Sequence, residues 1–147
     1  IDRMADHHKK MFQEIWEQAG KELSSETAEA VKDAYKAKLS LELKSGVCKA
    51  WVIEDEKKIV SSGAITLVSL VPNPSDLSSK AAYLHSMYTE NDYRNRKFSQ
   101  LIIDKIIAYC RSNSINRVIL NASSAGRPIY EKKGFKSAPD SMRLFLT

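Results

Sequence analysis

The stretch with the clearest potential for chemistry is a basic loop, Glu90–Lys97 (ENDYRNRK), which precedes a helical pattern beginning near Phe98. The first backbone N–H groups of a helix have no partner inside the helix, and together with the helix dipole they make an anion site. Arg94, Arg96 and Lys97 add formal positive charge at the same place. Charge and geometry therefore both favour a phosphate ligand.

A strand–helix–strand unit would hold this loop in position. Ala81–Thr89 predicts a strand, Phe98–Cys110 a helix, and Asn116–Ala122 a second strand. Two strands joined in this way close as a right-handed parallel crossover, and ligands favour the point where neighbouring strand ends diverge. On the helix, we expect the inward residues to be Phe98, Leu101, Ile102, Ile106 and Tyr109.

Two helices are predicted at the start of the chain. Residues 1–19 show apolar side chains at helical spacing, and Gly20 is a plausible end. The second helix runs from an N-cap at Ser24 or Ser25 to about Leu43, before Ser45-Gly46. The expected inward residues are Met4, His8, Met11, Ile15 and Ala19 in the first helix, and Val31, Tyr35, Leu39 and Leu43 in the second.

The remaining segments predict strands and one more helix. Val47–Ile53 and Ile59–Val71 read as an antiparallel hairpin, with Gly63 as a bulge candidate. Pro72–Lys80 has the composition of a loop, and Gly126–Lys133 that of a short helix. The final strand pair is expected from Phe135 and Met142–Leu146. The order predicts an α/β (α+β) domain with a mixed, mostly antiparallel sheet.

Composition narrows the class of protein. The chain has 147 residues, 43% of them hydrophobic and 28% charged, which fits one domain. The net charge of +5 is scattered rather than clustered, so we expect an anionic cofactor rather than a nucleic acid as the partner. No apolar run is long enough for a membrane span. Two distant cysteines, Cys48 and Cys110, favour a reducing, cytoplasmic location. His7 and His8 lack metal spacing, so no metal is expected.

Residues 87–102 (MYTENDYRNRKFSQLI) resemble the acyl-CoA signature of the GCN5-related N-acetyltransferase (GNAT) superfamily. In that family a strand is followed by Arg or Gln, two residues, a Gly, one residue, and a Gly or Ala. Arg94, Lys97 and Ser99 occupy the three defined positions. Lys97 departs from the pattern, since Gly there lets the backbone approach the pyrophosphate closely.

Residues 121–135 (NASSAGRPIYEKKGF) resemble the second block of the same family, in which an Asn, a small residue, a Tyr and a closing Gly-Phe recur. Ser123 stands at the usual Asn and Gly126 at the small residue, while Tyr130–Phe135 matches closely. The resemblance implies one GNAT-like domain over residues 1–147, without the strand with which the family normally begins. We expect a segment of the natural protein to precede Ile1, which is not an initiator Met.

The resemblance also implies acetyl-CoA as the cosubstrate, in the cleft between the parallel strands. Its arm would pair with the main chain of Met87, Tyr88 and Thr89. Its pyrophosphate would rest on the backbone amides of the loop residues Arg94, Asn95, Arg96, Lys97, Phe98 and Ser99. Ser123 and Gly126 are cofactor-binding positions by the same resemblance. Asn95 tolerates unusual backbone angles if the loop needs them.

The implied reaction is direct attack by an amine, with Tyr130 protonating the departing thiolate. His85 is the candidate general base because it titrates in the right range, although a packing role remains open. Strand alternation predicts that Tyr83, His85 and Met87 share one face. The acceptor, a small-molecule or peptide amine, carries no signature, and a family-typical homodimer stays open. The altered loop leaves an alternative, a non-catalytic acyl-CoA-binding module.

Overall fold

The computed structural model describes all 147 residues. Two helices open the chain, α1 (Asp2–Gln18) and α2 (Ser25–Ser45). Ser24 caps α2 by accepting a hydrogen bond from the Thr27 N–H at 3.1 Å, and Gly46 ends it in the left-handed conformation, at φ 82°. Both boundary signals read from the sequence are confirmed. Every helix is too short or too polar to serve as a membrane span.

A four-stranded sheet in the order β1-β2-β3-β4 forms the centre of the fold. Its strands are β1 (Cys48–Asp55), β2 (Lys58–Ser69), β3 (Lys80–Thr89) and β4 (Val118–Ile119). The first three pair antiparallel, and β3 pairs parallel with β4. A 3-10 turn (Asn91–Tyr93) and helix α3 (Phe98–Ser112) lie between β3 and β4, and helix α4 (Arg127–Lys132) follows. The predicted mixed, mostly antiparallel sheet with a parallel pair is confirmed, but the pair lies at the edge of the sheet and not near its middle.

The sheet has a buried cluster on each face. Helices α1 and α2 cover one face around Met4, Tyr35, Leu39 and Ala64, and α3 covers the other around Ile65. Ala64 and Ile65 are neighbours in β2, and strand alternation places one side chain in each cluster. The α3 cluster also contains Ala82, Leu84, Ile102, Ile106, Cys110 and Ile115.

Four expectations about the elements are wrong. The strand predicted over Asn116–Ala122 pairs only at Val118–Ile119. Phe135 and Met142–Leu146 form no strand pair, and Leu144, at 81% exposure, has nothing to pack against. Leu101 is exposed on α3, whereas Ile103 and Cys110 are buried there. In α1, Ala19 is exposed and His7 is fully buried.

Candidate active site

The parallel strands separate after two residue pairs, which opens a cleft. Pairing joins Ala82 to Val118 and Tyr83 to Ile119, and β3 then continues to Thr89 without a neighbour on that side. The Glu90 N–H bonds to the Val60 carbonyl of β2 at 2.8 Å. Main-chain groups alternate in direction along a strand, so those of Thr89 and Met87 point away from β2, into the cleft. Those of Tyr88 face β2, where the Ser61 hydroxyl donates to the Tyr88 carbonyl at 3.2 Å.

The start of α3 presents unpaired donors beside this cleft. Six consecutive backbone N–H groups, those of residues 95–100, donate to no acceptor in the protein. Asn95 and Lys97 adopt left-handed conformations, at φ 65° and 63°, and so turn the chain sharply into the helix. The position that the sequence motif reserves for Gly therefore has a glycine-like backbone despite its Lys side chain. Donors in this arrangement suit a phosphate or pyrophosphate.

The Arg94 side chain is fixed by protein partners. Its Nη2 donates to both carboxylate oxygens of Glu14 on α1, at 2.8 and 2.9 Å, and its Nε donates to the Thr89 carbonyl at 2.9 Å. The guanidinium also lies over the Tyr88 ring, 5.3 Å from its centroid. Arg94 thus joins α1, the end of β3 and the loop.

The other loop side chains are held less tightly. Arg96 lies over the Tyr93 ring, 5.0 Å from its centroid, and reaches the Asp92 carbonyl only at 3.4 Å. Lys97 forms no ion pair, and Phe98 is half-buried at the helix start. Ser99 hydrogen-bonds to Thr89 at 3.0 Å between hydroxyl oxygens, which ties the first turn of α3 to β3. The loop therefore combines a fixed backbone with two cations that have no carboxylate partner.

A bulge in β3 changes which side chains share a face. Ser86 adopts φ 59°, and the pairing steps from Ala64–His85 to Ser62–Tyr88, so that Ser86 and Met87 together oppose Gly63. Met87 consequently packs on the α3 side, while His85 lies on the α1–α2 side. The prediction that they share a face is wrong, because it assumed uninterrupted alternation. Tyr83 stacks on His85, as expected, with ring centroids 5.6 Å apart.

Both ring nitrogens of His85 are occupied. Nε2 hydrogen-bonds to the Thr66 hydroxyl at 2.8 Å, and Nδ1 to the Ser86 hydroxyl at 2.8 Å. Burial lowers the pKa of His85 to about 4; nearby Lys38 adds to the effect, and Glu42 opposes it. The ring is therefore neutral at physiological pH and fixed in orientation.

The Ser86 hydroxyl also bonds to His8 of α1, at 2.9 Å from Nδ1. The His8 ring stacks on Tyr35, with centroids 3.9 Å apart and planes 11° from parallel. Burial, together with the nearby His85, lowers the pKa of His8 to about 4. Burial raises the pKa of the Tyr35 hydroxyl to about 12, and the nearby Ser86 hydroxyl opposes that rise. This polar cluster lies against the face of β3 opposite α3.

His7 is bonded through both nitrogens to other groups. Nδ1 meets the Ser62 hydroxyl at 2.8 Å, and Nε2 meets the Glu90 carboxylate at 3.1 Å. The Lys10 ammonium also contacts Glu90 at 3.1 Å. His7 thus anchors α1 to the end of β3. No three His, Cys, Asp or Glu side chains are grouped as metal ligands.

Tyr130 lies on the α3 side of the sheet. Its ring contacts Phe135 edge-on at 5.7 Å between centroids and packs against the α3 cluster. The hydroxyl has no hydrogen bond within the protein, and burial raises the pKa of Tyr130 to about 12. The phenol is therefore protonated throughout the physiological range, as a proton donor must be.

Ser123 and Gly126 shape the turn before Tyr130. The Ser123 hydroxyl accepts a hydrogen bond from the Gly126 N–H at 3.1 Å. A Cβ at Gly126 would lie 3.2 Å from that hydroxyl oxygen and 3.3 Å from the Tyr130 ring. An alanine there would require the Ser123 hydroxyl and the Tyr130 ring each to shift by a few tenths of an ångström. Across the strand junction, Asn121 donates to the Tyr83 hydroxyl at 3.1 Å.

The model of one protein family matches residues 17–143, most of the chain, and describes an acetyltransferase (GNAT) domain. This chain belongs to the GNAT acetyltransferase family. The resemblance read from the two sequence blocks is thereby confirmed. Among curated proteins, none matches the sequence.

Solved GNAT structures share the fold at low sequence identity. A predicted acetyltransferase from Clostridium acetobutylicum, crystallised with acetyl-CoA, is 21% identical, with a TM-score of 0.83 over 99% of this chain and 90% of its own. A GCN5-related N-acetyltransferase from Ralstonia eutropha is also 21% identical, with a TM-score of 0.86 over 98% and 91%. Glucosamine-6-phosphate N-acetyltransferase from Arabidopsis thaliana is 19% identical, with a TM-score of 0.61 over 97% and 94%.

The GNAT fold brings most of the sequence-derived site residues to one cleft. The loop residues 94–99 and the main chain of Met87 and Thr89 lie along it, whereas the Tyr88 main chain is turned to β2. Tyr130 and His85 lie on opposite faces of the sheet. Sequence reasoning missed His8, Ser86 and Glu14, and only the adjacency of Ser86 to His85 could have hinted at them.

Proposed function

We propose that this GNAT domain transfers an acetyl group from acetyl-CoA to a primary amine, by direct attack in a ternary complex. The observation that carries the proposal is the row of six free N–H groups, residues 95–100, beside the gap between β3 and β4. Helix starts of this kind bind anions, and the open strand edge next to it can pair with an amide-containing chain. A pyrophosphate joined to an amide-containing arm suits both features.

The residues present fit acetyl-CoA at specific atoms. The N–H groups of residues 95–100 would hold the pyrophosphate, with the Arg96 and Lys97 side chains supplying charge. The cleft-facing main chain of Met87 would pair with the arm and present an N–H donor to the thioester oxygen. The Thr89 carbonyl already accepts from Arg94, which leaves one of its two lone pairs for the arm. Bound acetyl-CoA would supply an activated acetyl thioester.

Proton transfer is divided between the two faces of the sheet in this proposal. Tyr130, protonated and without a competing partner, donates to the departing sulfur on the α3 side. Because its pKa is high, the Tyr130 phenol stays protonated. Proton transfer from it to a thiolate is uphill unless the sulfur is equally desolvated. His85 belongs to the proton-accepting side, together with the groups bonded to it.

A second candidate is a non-catalytic acyl-CoA-binding module. It is favoured by two observations: both His85 nitrogens are already bonded to hydroxyls, and Lys97 stands where the family motif has Gly. The module would use the same N–H row. It would therefore bind acetyl-CoA without releasing free thiol.

The test combines calorimetry with a thiol-release assay over a panel of small amines, polyamines and peptides with free N-termini. We expect micromolar binding of acetyl-CoA and amine-dependent release of free thiol. Ser99→Pro, which would alter the first turn of α3, should weaken binding, while Ser112→Ala at the far end of the helix should not. Binding without release by any acceptor would support the module, and absence of binding would contradict both candidates.

The acceptor and the setting are also proposals. We infer a small-molecule or peptide amine, admitted from the α1–α2 face, where Tyr83 and His85 lie. The two thiols, Cys48 and Cys110, are free and buried, which suits a reducing, cytoplasmic compartment. Size-exclusion chromatography with light scattering would show whether the domain dimerises.

A further inference from the structure

The three histidines of this domain differ in how many of their ring nitrogens are hydrogen-bonded. They carry six ring nitrogens, and five of these hydrogen-bond to protein groups. The exception is Nε2 of His8, which has no partner in the protein although its ring is held on both sides. A fixed imidazole with one free nitrogen is the arrangement that a general base requires.

The ring of His8 is positioned by three contacts. Tyr35 stacks on its face, Phe12 meets it edge-on with centroids 5.0 Å apart, and Ser86 holds Nδ1 at 2.9 Å. Ser86 is the residue before Met87, whose main chain faces the cleft. His8 is therefore next to the bulge that borders the proposed thioester position, on the face opposite Tyr130.

The Ser86 hydroxyl couples the proton positions on the two histidines, His8 and His85, to which it is hydrogen-bonded. It carries one hydrogen, so it donates to one imidazole and accepts from the other. If it accepts from His8 Nδ1–H, it donates to His85 Nδ1, and His85 Nε2–H donates to the Thr66 hydroxyl. In this polarity Nε2 of His8 is left as an unprotonated acceptor, which is the state that a base requires. The reverse polarity would place a proton on that nitrogen and block it.

We propose that His8 Nε2, positioned through Ser86 and His85, accepts the proton of the attacking amine, an inference that rests on the proposed acetyl transfer. As the C–N bond forms, the amine N–H bond breaks, its electron pair stays on nitrogen, and the proton moves to His8. The C–S bond breaks with its electrons on sulfur, which takes the Tyr130 proton. His8 later returns its proton to solvent, and the Tyr130 phenolate regains one. His85 is a positioning residue in this scheme.

The charged groups around the hydrogen-bonded series His8–Ser86–His85 are consistent with neutral rings that can share a proton. Lys38 and Glu42 of α2 are the charged groups that act on His85, with opposite effects, and His85 itself acts on His8. The same chain allows a proton received by His8 to pass through Ser86 to His85. The charge need not stay on one buried ring.

Nitrogen-15 NMR of the free protein tests the proton positions without any activity. We expect His8 to be the Nδ1–H tautomer and His85 the Nε2–H tautomer at neutral pH. Ser86→Ala should remove the preference at His8. A proton on His8 Nε2 in the wild type would overturn the inference, whatever the catalytic results.

Measurements of kcat and of the acetyl-CoA Kd in variants provide a second test of the role of His8. His8→Phe keeps a ring to stack on Tyr35 and should lower kcat roughly 100-fold, with the acetyl-CoA Kd changed less than about twofold. Gln13→Ala, an exposed position on the same helix that contacts neither His8 nor Ser86, should change kcat less than about threefold. If His8→Phe does not fold, Ser86→Ala serves, with an expected loss of roughly tenfold in kcat at constant Kd.

The outcomes separate the two proposals. Wild-type kcat in a folded His8→Phe, or in Ser86→Ala if that variant has to serve, overturns the role of His8 and leaves acetyl transfer intact. Absence of thiol release by the wild type overturns acetyl transfer and the role of His8 with it. The tautomers would then describe only a structural hydrogen-bond chain.

Discussion

Glu14 on α1 holds the Arg94 guanidinium through two hydrogen bonds of 2.8 and 2.9 Å, so the first residue of the acyl-CoA signature is fixed by a helix outside the loop. Arg94 also donates to the Thr89 carbonyl. We expect the two residues to differ in their effect on the cofactor, because Arg94 alone bonds to the strand and carries positive charge. The ion pair is partly exposed, so its own contribution to stability is small.

Arg94→Ala should weaken acetyl-CoA binding about tenfold, or about 1.4 kcal/mol, because the loop would lose one positive charge and its bond to the Thr89 carbonyl. Glu14→Gln should change the Kd less than about threefold, because the bond from Arg94 to Thr89 remains. Calorimetry at two salt concentrations measures both. Equal losses in the two variants would mean that the ion pair, and not Arg94 itself, organises the loop.

Lys97 has a left-handed backbone at φ 63°, which costs a non-glycine residue roughly 1 kcal/mol. Lys97→Gly should relieve this strain and raise the free energy of unfolding by up to about 1 kcal/mol, as measured by urea denaturation. Lys97→Ala keeps the strain and removes only the charge, so it should not stabilise the domain. If both variants weaken acetyl-CoA binding equally, the side-chain charge matters for the cofactor. If Lys97→Gly binds more tightly, close backbone approach matters more.

Tyr130→Phe should lower kcat about 100-fold while leaving the acetyl-CoA Kd nearly unchanged. Its hydroxyl has no protein partner, so we expect a loss of less than about 0.5 kcal/mol in stability. The pKa of about 12 predicts no alkaline loss of activity from Tyr130 ionisation below about pH 11. Parallel losses in kcat and affinity would argue for a binding role instead.

The buried histidines predict acid sensitivity. The folded-state pKa values of His8 and His85 are both about 4, below the ordinary 6.5, so the unfolded chain binds more protons between these values. Stability is therefore full above about pH 6.5 and falls as the pH drops towards about 4, by up to about 3 kcal/mol for each histidine. Urea denaturation across this range measures the slope, and His8→Phe should reduce it. A flat profile in the wild type would contradict the burial of both rings.

The sequence predicted those elements whose signals are local. The Ser24 cap, the Gly46 end of α2 and the start of α3 at Phe98 all depend on residues within a turn of the boundary. The sequence did not predict where β3 separates from β4, because the length of a strand there depends on which backbone pairs with it. Apolar alternation at Met142–Leu146 likewise could not say whether a partner strand exists.

The site was predictable only where a motif or a uniform period applied. Residues 94–99 follow the family pattern closely enough to locate the loop. Ser86 has no side-chain feature that signals φ 59°, so the bulge and the reversal of Met87 relative to His85 were hidden. The bonds from His8 to Ser86 and from Glu14 to Arg94 join residues more than 70 positions apart, beyond the reach of any local pattern.

Amide NMR during a titration with acetyl-CoA shows directly whether the start of α3 and the end of β3 hold the cofactor. We expect saturable shifts at a 1:1 ratio, largest for the N–H groups of residues 95–100 and for Met87, with slowed exchange of those N–H groups. Coenzyme A without the acetyl group should reproduce the shifts in the loop. Shifts confined to other surfaces, or none at millimolar acetyl-CoA, would contradict the placement of the cofactor and the proposed transfer.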